Sequence, residues 1–136
     1  MKLDIEYLKG MLAVFVDSDR PFITLADLAT AGYPVDQDET VFHYFLLIEG
    51  GYVSNMKLEL GNPEKLGIFI SPQTGKASWS GTKIRLTKGG LEFAESLNNK
   101  TVFDQLKQFS DQPMSVLKDV GLELLKSYMK SRLGLS

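Results

Sequence analysis

The spacing of apolar residues changes at Gly50-Gly51, and this change restricts the chain to a fold that combines helices with a small sheet. Before the double glycine, apolar residues recur every three or four positions, as they do in amphipathic helices. Three helices are predicted there: 3–16, a short one that Thr24 begins and Gly32 ends, and one from about residue 36. The double glycine suits the left-handed residue that commonly closes a helix.

After the double glycine, strand-forming residues alternate with turn residues. Strands are predicted over 52–60, 66–71 and 82–86, with turns at 61–65, 72–76 and 80–81. A further short strand is predicted at residues 22–24, between the first two helices. These segments form a long hairpin that follows the third helix.

The chain then returns to helical spacing. Thr87 is a good N-cap for a fourth helix that ends at Asn98-Asn99, and further helices are predicted over 101–109 and 113–133. Three helices, a hairpin and more helix is the order of a winged helix-turn-helix. We therefore predict an α+β fold, with a winged helix-turn-helix-like domain over 1–99. A C-terminal helical extension over 100–136 is expected to pack on it, on or beside the third helix.

Length and composition exclude several classes of chemistry. A chain of 136 residues without cysteine cannot use thiolate catalysis, zinc–thiolate sites or disulfides. The first ten residues contain Asp4 and Glu6 and do not resemble a signal peptide. No stretch approaches the roughly 18 apolar residues of a membrane span. We expect a cytoplasmic protein without a membrane contact.

Charge is distributed unevenly along the chain. Residues 1–56 carry nine acidic and three basic residues, a balance of −6, whereas residues 57–88 carry six basic and two acidic residues, a balance of +4. The basic segment predicts a nucleic-acid contact along the hairpin, with an aromatic side chain near the hairpin tip that could stack on a base. The residues of this candidate contact are Lys76, Trp79, Lys83 and Arg85. The alternative, which we favour, is a charged strand edge that prevents sheet-to-sheet pairing, with Trp79 folded back on the core.

The third helix has the position of a DNA-recognition helix but not its composition. It begins with Asp36, Asp38 and Glu39 and is apolar nearly all the way round. Acidic residues oppose the attraction to phosphate on which DNA binding depends, so the helix is a poor DNA reader. We expect one face to pack on the first two helices and another on the C-terminal helices. The alternative is a partner interface formed by Tyr44, Phe45 and Ile48.

The last helix offers a second candidate interface. Leu117, Val120, Leu124 and Tyr128 form one apolar stripe, and Leu125, Met129 and Leu133 flank it. Such a stripe usually packs within the molecule, but at a chain end it is also a common dimerisation element. Leu125 and Met129 therefore join the candidate partner interface.

Three features could indicate catalysis or cofactor binding, but the sequence does not favour that interpretation. Residues 36–40 match the D-x-D-x-T spacing of haloacid-dehalogenase-type phosphatases, but they do not follow a buried strand and are better read as helix N-terminal acids. The single histidine, His43, is predicted to be a hydrogen-bonded core residue. The pieces EGG and KGG match neither a P-loop nor a dinucleotide fingerprint. We predict no enzyme, catalytic residue, cofactor, metal or small-molecule substrate.

Three stretches carry a family resemblance: FHYFLLIEGGYV (42–53), IRLTKGGLEFAESLNNKTVF (84–103) and MSVLKDVGLELLK (114–126). Together they resemble an uncharacterised, prophage-associated family of bacterial and phage proteins that is described only as a domain of unknown function. The stretch LTKGGLEFAESLNN is also similar to YjcQ-type winged-helix proteins. The resemblance implies a winged-helix-like fold and brings no catalytic residue, cofactor or known partner.

Two functions follow as expectations. The first is a non-enzymatic protein-interaction or assembly module, with a protein partner or a second copy of the chain. The alternative is a small phage- or prophage-type DNA-binding transcriptional regulator that uses the basic wing.

Overall fold

The computed structural model describes residues 1–135, which form an α+β fold with six α-helices and two small antiparallel sheets. The helices are α1 (Ile5–Asp17), α2 (Leu25–Thr30), α3 (Asp38–Glu49), α4 (Lys88–Asn98), α5 (Lys100–Leu106) and α6 (Met114–Arg132). The strands are β1 (Val53–Asn55), β2 (Ile68–Ile70), β3 (Ala77–Trp79) and β4 (Ile84–Leu86). Single 3-10 turns lie at Glu64–Leu66 and Lys107–Phe109.

Most helices begin at a side chain that satisfies free backbone N–H groups. The Thr24 hydroxyl accepts from the backbone N–H of Asp27, whose carboxylate accepts from that of Thr24, which forms a reciprocal capping box. Thr87 caps α4, as predicted, by accepting from the backbone N–H of Gly90. Helix α3 has no side-chain cap, but Asp38 and Glu39 lie in its first turn, where negative charge stabilises the positive end of the helix dipole.

The first sheet joins distant parts of the chain. β1 pairs antiparallel with β4, with Val53 opposite Leu86, and Ile23 bridges to the other side of β4 by two hydrogen bonds with Ile84 of 2.9 and 2.8 Å. The strand predicted at residues 22–24 is thus reduced to a single bridge. The second sheet is the β2–β3 hairpin, in which Ile68 pairs with Trp79.

The strand predicted over 52–60 is wrong beyond Asn55. The Asn55 side-chain oxygen accepts hydrogen bonds from the backbone N–H groups of Lys57 and Glu59, and its amide nitrogen donates to the Lys65 carbonyl oxygen. These bonds turn the chain out of the sheet, and Leu58 adopts a left-handed conformation with φ of 62°. A local amide network therefore replaces the regular strand.

Trp79 was predicted near the hairpin tip but lies at the opposite end. The tip is the turn after Ser71, whose backbone N–H donates to the Lys76 carbonyl oxygen, and Gly75 supplies the left-handed residue with φ of 71°. Trp79 pairs with Ile68 at the base of the hairpin and is 44% exposed.

One hydrophobic core runs through the described residues. It extends from Ile5 in α1 to Leu117 in α6 and includes side chains of every α-helix. Helix α6 packs against α4 and α5, and the small residues Ser96 and Gly121 allow α4 and α6 to approach closely. The expected packing of the C-terminal helices on α3 is not their main contact, because α1 and the turn at Glu64–Leu66 bind the buried side of α3. No helix within residues 1–135 is both long and apolar enough to cross a membrane.

Gly90 gives a direct test of the contact between α4 and Tyr52, the residue that precedes β1. A Cβ atom at this position would overlap the Tyr52 carbonyl oxygen, which also accepts a hydrogen bond from the backbone N–H of Thr87. We predict that Gly90→Ala lowers the free energy of unfolding by about 1–3 kcal/mol, because backbone must shift and this outweighs the gain in helix propensity. The measurement is urea unfolding followed by circular dichroism.

Gly81→Ala is the matched control, since nothing lies within 4 Å of the added Cβ and its φ is not positive. Its unfolding free energy should stay within about 0.5 kcal/mol of the parent value. Equal stability of both variants would contradict the close approach of α4 to Tyr52.

Candidate functional site

His43 fixes one side of helix α3 to the start of α1. Its ring is 1% exposed, its Nδ1 donates to the Glu39 carbonyl oxygen at 2.8 Å, and its Nε2 accepts from the backbone N–H of Asp4 at 3.0 Å. The prediction of a hydrogen-bonded core histidine is confirmed.

A hydroxyl pair strengthens this attachment one turn earlier in α3. The fully buried Thr40 hydroxyl lies 2.6 Å from the Tyr7 hydroxyl, and the Tyr7 ring lies 4.7 Å from the His43 ring. Burial raises the pKa of Tyr7, so its hydroxyl stays protonated to a higher pH than that of an exposed tyrosine.

Tyr44 fixes the neighbouring side of α3 to the turn at Glu64–Leu66. Its hydroxyl donates to the Leu66 carbonyl oxygen at 2.7 Å, and its side chain is fully buried. Ile48, one turn later, is 2% exposed. Tyr44 and Ile48 were predicted to form a partner interface with Phe45, and their burial in the core removes both from any surface.

The side of α3 that remains in contact with solvent is apolar in the middle and acidic at both ends. Phe42, Phe45 and Leu46 are partly exposed, Asp38 and Glu39 are exposed at the start of the helix, and Glu49 is exposed at its end. We call these six residues the outer face of α3. No basic residue belongs to the helix, and within residues 1–135 none of the three acids forms an ion pair.

The outer face continues into a groove beside the β2–β3 hairpin. The groove has a volume of about 410 Å³ and is lined by Phe45, Asn62, Pro63, Glu64, Ile68 and Ile70. Four of its six lining residues are apolar, and its one charged lining residue, Glu64, is acidic and exposed. The acidic and apolar character of α3 thus extends onto the neighbouring turn and strand.

The four predicted nucleic-acid contacts are divided between the two sheets. Lys76 directly precedes β3 and Trp79 is its last residue, whereas Lys83 directly precedes β4 and Arg85 is its central residue. Ile84 is buried, so Lys83 and Arg85 point to the opposite face of that strand. Arg85 is half-buried, and its Nη1 lies 3.5 Å from the Ser54 hydroxyl oxygen.

Acidic side chains partly neutralise the basic residues near Lys83. Lys83 lines a surface depression together with Lys57, Lys65, Glu59 and Glu64. The Glu59 carboxylate is 3.0 Å from the Lys65 ammonium, and hydrogen bonds from Asn55 and then from Lys65 lower the pKa of Glu59. Glu59 is therefore held in its charged form beside the lysines.

The two α6 residues of the predicted interface stay at the surface. Leu125 is half-buried and packs partly against the core beside the buried face of Leu117 and Gly121, whereas Met129 is 47% exposed. They form a separate surface, because α6 packs on α4 and α5 rather than on α3.

The sequence predicts a hydrogen-bonded His43 but does not indicate the partners that orient α3. The bond from the Asp4 backbone to His43 joins positions 39 residues apart, and no local pattern indicates it. The exposure of Phe42 and Leu46 could not be predicted, because nearly every position of this helix is apolar. No group of three His, Asp or Glu side chains within residues 1–135 is arranged to hold a metal ion.

Comparisons with known proteins do not assign the chain to a family. No protein-family model matches the chain, and neither the curated proteins nor the solved structures contain a match. The resemblance to the prophage-associated family stays a prediction.

Tyr44 leads to a prediction on alkaline stability. Burial raises the pKa of Tyr44 well above its ordinary value of about 10, so the unfolded chain loses this proton at lower pH than the folded protein does. The stabilisation from a neutral Tyr44 is complete below pH about 10 and decreases as pH rises toward the folded pKa, by up to about 1.4 kcal/mol per pH unit. Tyr44→Phe removes this contribution.

The measurement is urea unfolding of the parent protein and Tyr44→Phe at several pH values from 8 to about 11. At pH 8 the variant should be about 1 kcal/mol less stable, since it lacks the hydrogen bond to Leu66. Above pH about 10 its stability should fall less steeply than that of the parent. Parallel curves over the whole range would contradict the burial of Tyr44.

Proposed function

We propose that the protein is a cytoplasmic, non-enzymatic protein-interaction module built on a winged-helix-type scaffold, and that it binds its partner through the outer face of α3. The observation that carries the proposal is the pattern of this face, with Phe42, Phe45 and Leu46 between exposed acids. The partner supplies a basic amphipathic helix or segment.

The order of elements supports a winged-helix-type scaffold. Helix α1 is followed by the bridging residue Ile23, then α2, α3, β1, the β2–β3 hairpin and β4. In this arrangement α3 corresponds to the recognition helix and the β2–β3 hairpin corresponds to the wing. Residues 100–136 correspond to a C-terminal extension. This assignment is part of the proposal.

The composition of the outer face argues against base readout. A recognition helix presents residues such as Arg, Lys, Asn or Gln to the major groove near its N-terminus. Asp38 and Glu39 occupy that end of α3 and Glu49 the other end. Acids at these positions repel the phosphates on both sides of a groove, and the three apolar side chains offer no pattern of donors that distinguishes bases.

The same composition favours a basic protein partner. Partly exposed aromatic residues are typical anchors of protein interfaces, and Phe45 also lines the adjoining groove, which could accept a side chain of the partner. Asp38, Glu39, Glu49 and Glu64 surround this apolar centre. Opposite charges at an interface rim steer association and select the partner.

DNA binding through the wing is the second candidate. Lys83 and Arg85 share the outer side of β4, and Lys76 is exposed at the hairpin tip. This arrangement supports contact with phosphate. The neighbouring acids Glu59 and Glu64, and the separation of Trp79 from the tip, make it the weaker candidate.

The test is a fluorescence anisotropy titration with two labelled probes at two salt concentrations. One probe is a designed amphipathic helix of leucine and lysine at heptad spacing, and the other is duplex DNA. The parent protein should bind the peptide, more weakly at the higher salt. Glu39→Lys/Glu49→Lys should weaken binding by at least about tenfold, because two attractive contacts become repulsive.

Asp17→Lys/Asp19→Lys is the matched control. It changes the net charge by the same amount at exposed acids that lie outside the outer face, so its affinity for the peptide should stay within about twofold of the parent value. Equal weakening of both variants, or no peptide binding at low salt, would refute the proposal. Salt-sensitive DNA binding that Lys83→Ala/Arg85→Ala removes would instead establish the second candidate.

A further inference from the structure

Helix α6 carries a second apolar stripe that lies mostly outside the core, although Leu125 packs partly against it. Its buried residues, Leu117 and Gly121, face α4 and α5, and Leu124 and Tyr128 continue that stripe along the helix. A second stripe lies beside it at spacings of three, four and four residues and consists of Leu122, Leu125, Met129 and Leu133. Leu122 and Leu125 are partly exposed, Met129 is 47% exposed and Leu133 is 65% exposed. Such spacing is typical of a helix that pairs with another helix.

The charges on one side of the second stripe are arranged in two halves, whereas Lys118 lies in line with the stripe, four residues before Leu122. Asp119 and Glu123 lie in the first part of α6, and Lys126 and Lys130 lie in the second part. At about 100° per residue, all four fall within a sector of about 60° on one side of the stripe. All four side chains are exposed, and the only ion pair they form within residues 1–135 is between Glu123 and Lys126 at 3.8 Å.

We propose that the second stripe of α6 binds the same stripe of a second copy of the chain, with the two helices antiparallel. A two-fold axis between Leu124 and Leu125 brings Glu123 alongside Lys126 of the other copy and Asp119 alongside Lys130. The midpoint between positions 123 and 126 is also the midpoint between positions 119 and 130, so one two-fold axis forms both kinds of pair. The stripe is therefore complementary to itself in charge, as an interface between identical subunits must be.

A parallel pair would not bring these charges together. In a parallel two-fold pair, the charged side of one stripe faces the opposite side of the other stripe. Only the antiparallel pair sets the two charged sides against each other and places acids alongside lysines.

The size of the contact sets the strength of the dimer. Helix α6 has 19 residues and is about 28 Å long, and only the part with the second stripe is available for pairing. A contact of this length is smaller than a standard stable interface, so we expect a dimer that dissociates at micromolar concentrations. This self-association uses a different surface from the outer face of α3 and is independent of the proposed function.

The test is sedimentation equilibrium of the full chain with reciprocal charge variants. The first variant is Asp119→Lys/Glu123→Lys and the second is Lys126→Glu/Lys130→Glu. Each alone should dimerise at least about tenfold more weakly than the parent, because every pair in its homodimer is repulsive. An equimolar mixture should form heterodimers about as well as the parent forms homodimers, since all four pairs are then attractive.

Met129→Glu and Val116→Glu are a matched pair for the apolar stripe. Both positions are exposed on α6, at 47% and 39%, but Val116 lies outside the stripe. Met129→Glu should abolish dimerisation and Val116→Glu should leave it unchanged, with folding of every variant checked by circular dichroism. A parent chain that stays monomeric at millimolar concentration, or a charge mixture that fails to recover dimers, would overturn the proposal.

Discussion

The rotation of α3 about its own axis decides which of its side chains the protein presents. Two adjacent residues fix that rotation: His43 accepts from the Asp4 backbone, and Tyr44 donates to the Leu66 carbonyl oxygen. Adjacent helical residues point about 100° apart, so two such bonds leave the helix little freedom to turn. Buried polar groups that lose their partners are costly, and each bond therefore resists any rotation that would break it. The exposed position of Phe42 and Phe45 depends on these two bonds.

Helix bounds could be predicted from the sequence because local residues determine them. Thr24 and Thr87 cap the helices that they were expected to cap, and Gly51 closes α3 in the left-handed conformation. The end of β1 could not be predicted, because Asn55 turns the chain by bonds that reach Lys65, ten residues away. Strand propensity in residues 56–60 is overcome by this network.

The candidate surfaces were predicted only in part, and helical periodicity explains the difference. In α6, polar residues separate the apolar stripes, so the sequence indicates that Leu125 and Met129 lie beside the core-facing side. In α3, nearly every position is apolar, and the pattern does not distinguish the buried Tyr44 from the partly exposed Phe45. The orientation of α3 comes from long-range hydrogen bonds that no window of sequence contains.

The orientation of α3 can be measured directly by hydroxyl-radical footprinting of the native protein with mass spectrometry. The account predicts that Phe42, Phe45 and Leu46 are oxidised in the folded state, whereas Tyr44 is protected until the protein unfolds. Tyrosine is at least as reactive toward hydroxyl radicals as phenylalanine. Protection of Tyr44 relative to Phe42 and Phe45 must therefore come from burial. Oxidation of Tyr44 as fast as that of Phe42 would show that α3 is turned differently and would contradict the proposed outer face.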